Sequence, residues 1–434
     1  MTARYRYDAA DLGVLGAQFK AVPATAGELT GAQLVAGAPV LADLPTPLVT
    51  LDAGALTANV ATMAAWARAA GVDLAPHGKT TMAPAIWRQQ LAAGAWGITV
   101  ATPWQLGVAL DRGVEVVLAA YPLLDPATLR VLTTQPRTAR VLVWADGVDV
   151  VGEMARHLPG EAAAQAVDVL VELGAPGART GARSVAAGLD VARAVTRHPG
   201  LRLAGVAGYE GALAHDASAA SLERVRAYLE DLADLHARVL AAGLPGDVPG
   251  GLVVTAGGSA YFDVVADVLA PLHDPAGTHG PPVRTVVRAG ASVAHDDGFY
   301  RGITPMGRQT AGTLTSAVHG WARVVSRPEP GLALADAGKR DLPFDEGLPQ
   351  VQAVRRGGRG PATAVSGAVV TALNDQHAFV ALGPDAEDLR VGDVLRLGLS
   401  HPCTAFDKWG LLPVLDDAHA DEPVLVDLVR TVFG

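Results

Sequence analysis

A lysine sits where an α/β chain keeps its chemistry. In DLAPHGKTTMAP, Lys79 follows a strand-like run and precedes a helix-like one, with Pro76, His77 and Gly78 making a tight approach. A lysine held in a partly dry pocket gives up its proton readily and can form a Schiff base with an aldehyde. A solvated surface lysine is the competing reading, and the turn before it with the helix start after it weigh against that. An aldehyde cofactor such as pyridoxal phosphate also needs a phosphate cradle, which backbone amides in a Gly-rich turn at a strand end supply. Gly257, Gly258 and Ser259 form such a turn directly after the run LVVTA, although an ordinary turn explains the motif equally well. The third candidate is SHPC, in which His401 and Cys403 stand two apart. On an extended strand both side chains face one way and can share one ion. Imidazole and thiolate suit zinc, with another divalent metal such as manganese as the alternative, and two ligands leave positions open for substrate. A nucleophilic Cys–His pair competes, but nothing nearby resembles a thiol-hydrolase signature.

Two further stretches bear on the same chemistry. VELGAPGARTGAR puts Arg179 and Gly181 after an apolar run, where Arg179 is a candidate to bond the cofactor's phenolic oxygen or simply a surface arginine. LAGVAGYEG puts Tyr209, Glu210 and Gly211 at the next run's end, where Tyr209 lines the cofactor or merely packs. His77, beside the lysine, joins the candidate cofactor contacts. Lys339, Arg340, His377 and His295 are candidate substrate contacts, each with an ordinary structural explanation.

Positioning these groups takes a regular scaffold. The runs PLVTLD, VDLAPH, GITVAT, VEVVLAA, RVLVWA, VDVLVEL, LAGVAGYE, LVVTAGG and TVVRAG alternate with alanine-rich helical segments. Nine runs are one more than a (β/α)8 TIM-like barrel needs, and the first is the natural surplus. A doubly wound open sheet alternates too, but its glycine fingerprint is missing after the early strands. In such a barrel the C-terminal strand ends hold the site, which is where Lys79 and the GGS turn fall. Beyond about residue 305, β-runs between Gly, Pro and Asp turns predict a smaller β domain. The expected division is 1–45 as a segment packing on the β domain or contacting a partner, 46–305 as the barrel, and 306–434 as the β domain carrying the metal pair. The boundary falls near Gly302 to Gly312.

Composition narrows the function. The 434 residues are 50% hydrophobic and only 18% charged, as in a compact, turn-rich enzyme. A net charge of -10 and a pI near 5.6 argue against nucleic acid, since phosphate binding needs a basic stripe. The lone Cys403 excludes an intramolecular disulfide and a multi-cysteine zinc module. The start MTARYRYDAADLG lacks a signal-peptide pattern, and no apolar run approaches about 18 residues, so the expected location is cytoplasmic, off the membrane.

Taken together, these motifs resemble the D-serine dehydratase and D-threonine aldolase family, the metal-dependent branch of the alanine racemase-like, fold type III pyridoxal enzymes. PHGKT is similar to the family's Pro-His-x-Lys-Thr segment, and RTG at 179–181, GYEG at 208–211, GGS at 257–259 and His401-Pro402-Cys403 follow in matching order. The resemblance implies that Lys79 is the cofactor-bearing lysine, that His401 and Cys403 ligate the metal, and that a second subunit completes the barrel mouth in a homodimer. It departs at Ala75, Thr81 and Met82, where members often have Arg before Pro-His and His-Lys after Lys-Thr, which leaves the substrate carboxylate's contacts open. GKRDLPFD and HPCTAFDKW look most like members named as amino-acid deaminases. The dehydratases pair His with Cys, as here, and the aldolases His with Asp. The leading expectation is therefore dehydration of a β-hydroxy D-amino acid to a 2-oxo acid and ammonia. Retro-aldol cleavage to glycine and an aldehyde is the runner-up. A racemase or a non-catalytic pyridoxal carrier is the further alternative, and neither needs the 401/403 pair.

Overall fold

The computed structural model describes residues 5–134, 138–158, 165–308 and 312–433. The surplus first run becomes β1 (Leu48–Asp52), buried along its whole length. Among the described residues, eight parallel strands then follow: β2 (Asp73–Leu74), β3 (Ile98–Val100), β4 (Val116–Pro122), β5 (Arg140–Ala145), β6 (Val167–Leu173), β7 (Leu201–Gly208), β8 (Leu252–Ala256) and β9 (Val283–Val287). Their order is β2-β9-β8-β7-β6-β5-β4-β3. The ring closes where Thr99 N donates to the Pro76 carbonyl at 2.9 Å and His77 bridges Thr99.

Alternation along the strands sorts their side chains. Inward positions, among them Ala75, Leu118, Leu142, Trp144, Leu170, Val253 and Val286, fill the barrel interior. Outward ones, such as Val117, Val143, Val169 and Val254, join the helices in a larger core. The interior is thus packed at its base and leaves room for chemistry only at the C-terminal end.

Among the described residues, ten strands form a second sheet: β1 with β10 (Val318–Glu329), β11 (Leu332–Ala335), β12 (Gln350–Arg355), β13 (Thr363–Ala364), β14 (Ala368–Leu373), β15 (Ala378–Leu382), β16 (Val394–Gly398), β17 (Leu411–Leu415) and β18 (Leu425–Arg430). β1 lies antiparallel to β10, with Leu48 opposite Trp321, and parallel to β17, with Leu51 opposite Val414. This corrects the expectation that 46–52 belongs to the barrel: a strand buried on both faces reads the same in either setting. The N-terminal segment packs on the same sheet, where Ala9, Leu15 and Leu34 meet Leu411, Leu425 and Leu428. Residues 309–311, inside the expected boundary Gly302 to Gly312, lie outside the described residues. No helix among the described residues is long and apolar enough to cross a membrane.

Candidate active site

Lys79 rides on a single 3-10 turn, Gly78–Thr80, beyond β2. A Cβ at Gly78 would come within 2.8 Å of both Ile98 and Trp87, so only glycine lets the turn settle there. Trp87 Nε1 donates to the Gly78 carbonyl at 3.2 Å, and the next helix, Pro84–Ala92, opens on proline. These contacts pin the backbone and leave the lysine side chain projecting into a cavity of about 280 Å³. The surrounding protein desolvates the ammonium and lowers its pKa; Cys403 opposes that, while Arg179 and Arg288 add to it.

The other sequence candidates meet around the same cavity: His77, Arg179, Tyr209, Gly257, Gly258, Ser259, His401 and Cys403. The Arg179 guanidinium lies 4.5 Å from the Tyr209 ring centroid. Burial raises the Tyr209 pKa, Glu210 raises it further, and Arg179 works against both. His77 Nδ1 has no hydrogen-bond partner. Burial holds the His77 pKa well below the usual histidine value, and Lys79, Arg288 and Arg179 push it the same way, so the ring is neutral.

The glycine turn differs from its expected use. The Gly257 and Gly258 amides already donate to Glu210, at 2.9 and 2.6 Å, and Glu210 is fully buried. Those two amides are therefore not free to cradle a phosphate. Gly257, at φ +103°, makes the turn, and the polar side chain that the turn presents to the cavity is Ser259, whose Oγ accepts from Ala291 N at 3.0 Å.

The second sheet supplies the opposite wall. His401 and Cys403 do not sit on an extended strand: His401 caps a short helix, Pro402–Phe406, with Pro402 at its first position. Proline is preorganised for that position, which turns the chain immediately after His401. Both side chains still reach the cavity, and Cys403 Sγ contacts Thr80 Oγ1 at 3.4 Å. His401 Nδ1 meets Asp345 Oδ2 at 2.5 Å, and Thr404 Oγ1 donates to Asp345 Oδ1 at 2.6 Å. Burial alone would lower the His401 pKa, but Cys403 and Asp345 carry it up to about 9. Among the described residues, no three His, Cys, Asp or Glu side chains are spaced to hold a metal ion. The chain thus offers a metal the Cys403 sulfur and the His401 ring, a donor pair that suits zinc and leaves positions open.

Several lining residues escaped the sequence reading: Thr80, Arg288, Tyr300 and Glu346. Arg288 is buried, with its guanidinium bonded to Thr255 Oγ1 at 2.6 Å and the Gly208 carbonyl at 2.5 Å. The signal for it was present, because Val286 points into the barrel and Arg288 is two residues further along, just past the end of β9. Tyr300 and Glu346 lie outside any periodic pattern. Lys339, Arg340, His377 and His295 do not line the cavity; Arg340 pairs with Asp375 at 3.5 Å and His295 is buried. The donor set fits pyridoxal phosphate: Lys79, Arg179 and Arg288 face one cavity beside the orphaned His77 Nδ1. At Gly290 a Cβ would come within 2.7 Å of the His77 Cβ and carbonyl oxygen, so the backbone there closes directly on the start of the lysine turn.

A (β/α)8 barrel faced by an antiparallel β domain, with this lysine beyond the first barrel strand, has the alanine racemase-like architecture. A family model described as a serine dehydratase domain matches residues 317–415. The D-threonine aldolase of Arthrobacter sp. is 28% identical over 387 residues, 88% of this chain and 92% of that protein. The D-threo-3-hydroxyaspartate dehydratase of Delftia sp. (strain HT23) is 30% identical over 239 residues, 54% of this chain and 62% of that protein. The crystal structure of D-threonine aldolase from Filomicrobium marinum matches with a TM-score of 0.73 at 25% identity, covering 91% of this chain and 97% of that one. Over most of its length the chain is thus similar to a D-threonine aldolase, and over much of its β domain to the serine dehydratase domain.

Proposed function

We propose that this protein is a pyridoxal phosphate-dependent lyase of β-hydroxy D-amino acids, which with zinc or manganese removes water to yield a 2-oxo acid and ammonia. The observation that carries the reading is the 3.4 Å contact between Thr80 and Cys403, which brings the barrel's lysine turn and the β domain's His-Cys pair together at one cavity. Pyridoxal phosphate, when bound, supplies the electron sink that acidifies the substrate Cα. Lys79 anchors the cofactor's aldehyde and, as a desolvated amine of lowered pKa, accepts the Cα proton. Arg179, braced on Tyr209, and the neutral His77 orient the cofactor, while Ser259 and the Gly257–Gly258 turn shape the end that receives its phosphate. His401 and Cys403 are the residues that would hold the metal, which would supply Lewis acidity toward the departing β-oxygen. The reading includes a homodimer and a cytoplasmic location, where the lone Cys403 stays reduced.

Retro-aldol cleavage is the second reading, favoured by the 88% coverage of this chain in the match to the Arthrobacter aldolase. The His-Cys pair favours dehydration. The test is to incubate the purified, pyridoxal phosphate-loaded protein with D-serine, D-threonine and D-threo-3-hydroxyaspartate, with and without chelator. Chelator-sensitive 2-oxo acid supports dehydration, whereas glycine with an aldehyde establishes the aldolase. Lys79→Ala should lose at least about 10²-fold in rate along with the covalent cofactor absorbance. His401→Ala or Cys403→Ala should retain that absorbance and lose β-elimination. Turnover by the lysine variant, or activity that survives chelation, overturns the corresponding role.

A further inference from the structure

The His401 imidazole is held from behind. Its Nδ1 meets Asp345 Oδ2 at 2.5 Å, which leaves Nε2 as the ring nitrogen for a ligand. Asp345 is itself fixed, because Thr404 Oγ1 donates to its other oxygen at 2.6 Å. Thr404 lies one residue beyond Cys403, so one short helix carries both Cys403 and the hydroxyl that aims the carboxylate at His401.

The segment bearing Asp345 is tethered on both sides. Upstream, buried Asp341 accepts from Lys20 Nζ at 3.0 Å and from Gln376 Nε2 at 3.2 Å, and its carbonyl accepts from Trp409 Nε1 at 2.9 Å. Downstream, Ser400 Oγ, adjacent to His401, donates to the Gly347 carbonyl at 2.6 Å. A surface ion pair would need neither tether. A carboxylate on the far ring nitrogen of a metal-binding histidine fixes its tautomer and orientation and raises its basicity.

We infer that Asp345, set by Thr404 and the tethered 341–347 segment, is the positioning residue that presents His401 Nε2 to the metal. The inference rests on the metal reading proposed above. Asp345 points to Nδ1, so it acts through the imidazole and is not a third ligand.

The test measures zinc affinity of the pyridoxal phosphate-loaded protein by chelator competition, for wild type, Asp345→Ala, Asp345→Asn, Thr404→Val and His401→Ala. Melting temperature and cofactor absorbance of the metal-free proteins are recorded in parallel. Asp345→Ala should weaken zinc about 10- to 100-fold. Asp345→Asn, which still offers an oxygen to Nδ1–H, should recover part of that loss, and Thr404→Val should fall between Asn and wild type. Metal-free melting and cofactor absorbance should stay unchanged. Wild-type zinc affinity in Asp345→Ala overturns the inference and leaves the metal reading intact. Zinc loss that tracks a lower metal-free melting temperature, in Asp345→Asn as well, also overturns it, in favour of a purely structural ion pair. A wild type that takes up no zinc, with His401→Ala indistinguishable from it, removes the metal reading and the inference together.

Discussion

Glu172, at the end of β6, is buried, and its Oε2 has no partner while Oε1 accepts from Thr180 Oγ1 at 2.9 Å. Burial, reinforced by Asp146, carries its pKa up to about 7 against the pull of Thr180, Arg179 and Arg288. The folded value lies above the unfolded one, so the group favours folding while it stays protonated. That contribution is complete below the unfolded pKa of about 4.3 and is lost as pH rises through about 7. Glu172→Gln keeps an acceptor for Thr180 without the charge, and should stabilise the fold by at most about 4 kcal/mol at about pH 8, with no gain near about pH 4. Denaturant melts at both values measure this, and an equal gain at both would mean that ionisation is not the cause. Glu172 escaped the reading because VDVLVEL looks like one apolar run. Lys79 was legible because its turn and flanking elements are contiguous in sequence. Asp345 was not, since its bond to His401 joins a loop to a helix N-cap far apart in the chain.

β7 shows how strand geometry sets the site. Its register against β6 slips between Leu203 and Gly205, a bulge that leaves Gly205 at φ +139°. A Cβ at Gly205 would lie 1.9 Å from the Val253 carbonyl on β8, so no side chain is tolerated without opening the barrel. Tyr209 and Glu210 follow directly from this strand, and Glu210 in turn holds the Gly257–Gly258 turn of β8. Gly205→Ala should therefore cost about 2–4 kcal/mol and weaken cofactor retention in parallel. Chemical denaturation and cofactor titration read the two effects, and a stable variant that binds cofactor normally would refute the coupling. The alternation of short β-rich runs with helical segments was enough to find the eight barrel strands seen among the described residues. It was not enough to place β1, nor to see that Pro402 starts a helix between His401 and Cys403, although proline at a helix's first position is a readable signal.

The barrel and the second sheet are interlocked through one short segment. β1 runs in the interior of the second sheet, between β10 and β17, and passes without a linker into the helix Ala53–Ala70 that covers the barrel. Asp52 stands at the junction: its Oδ1 caps that helix by accepting from Ala55 N at 2.7 Å, while its Oδ2 accepts from Ala418 N, just beyond β17, at 2.8 Å. The cavity needs the same alignment, because Lys79 comes from one unit and His401 and Cys403 from the other. Chains with two domains often unfold in separate steps, since few contacts cross a flexible linker. Here the chain crosses as a buried central strand, so pulling the barrel away strips β10 and β17 of a neighbour. The two units should therefore unfold together, with amides of β4–β6 and of β10 and β16 losing hydrogen-exchange protection at the same denaturant concentration. Asp52→Ala removes a helix cap and a cross-unit bond at once, and should lower the stability of both units by the same amount, about 2 kcal/mol. Barrel amides that open well before those of the second sheet, or a variant that destabilises one unit alone, would show the junction to be a hinge.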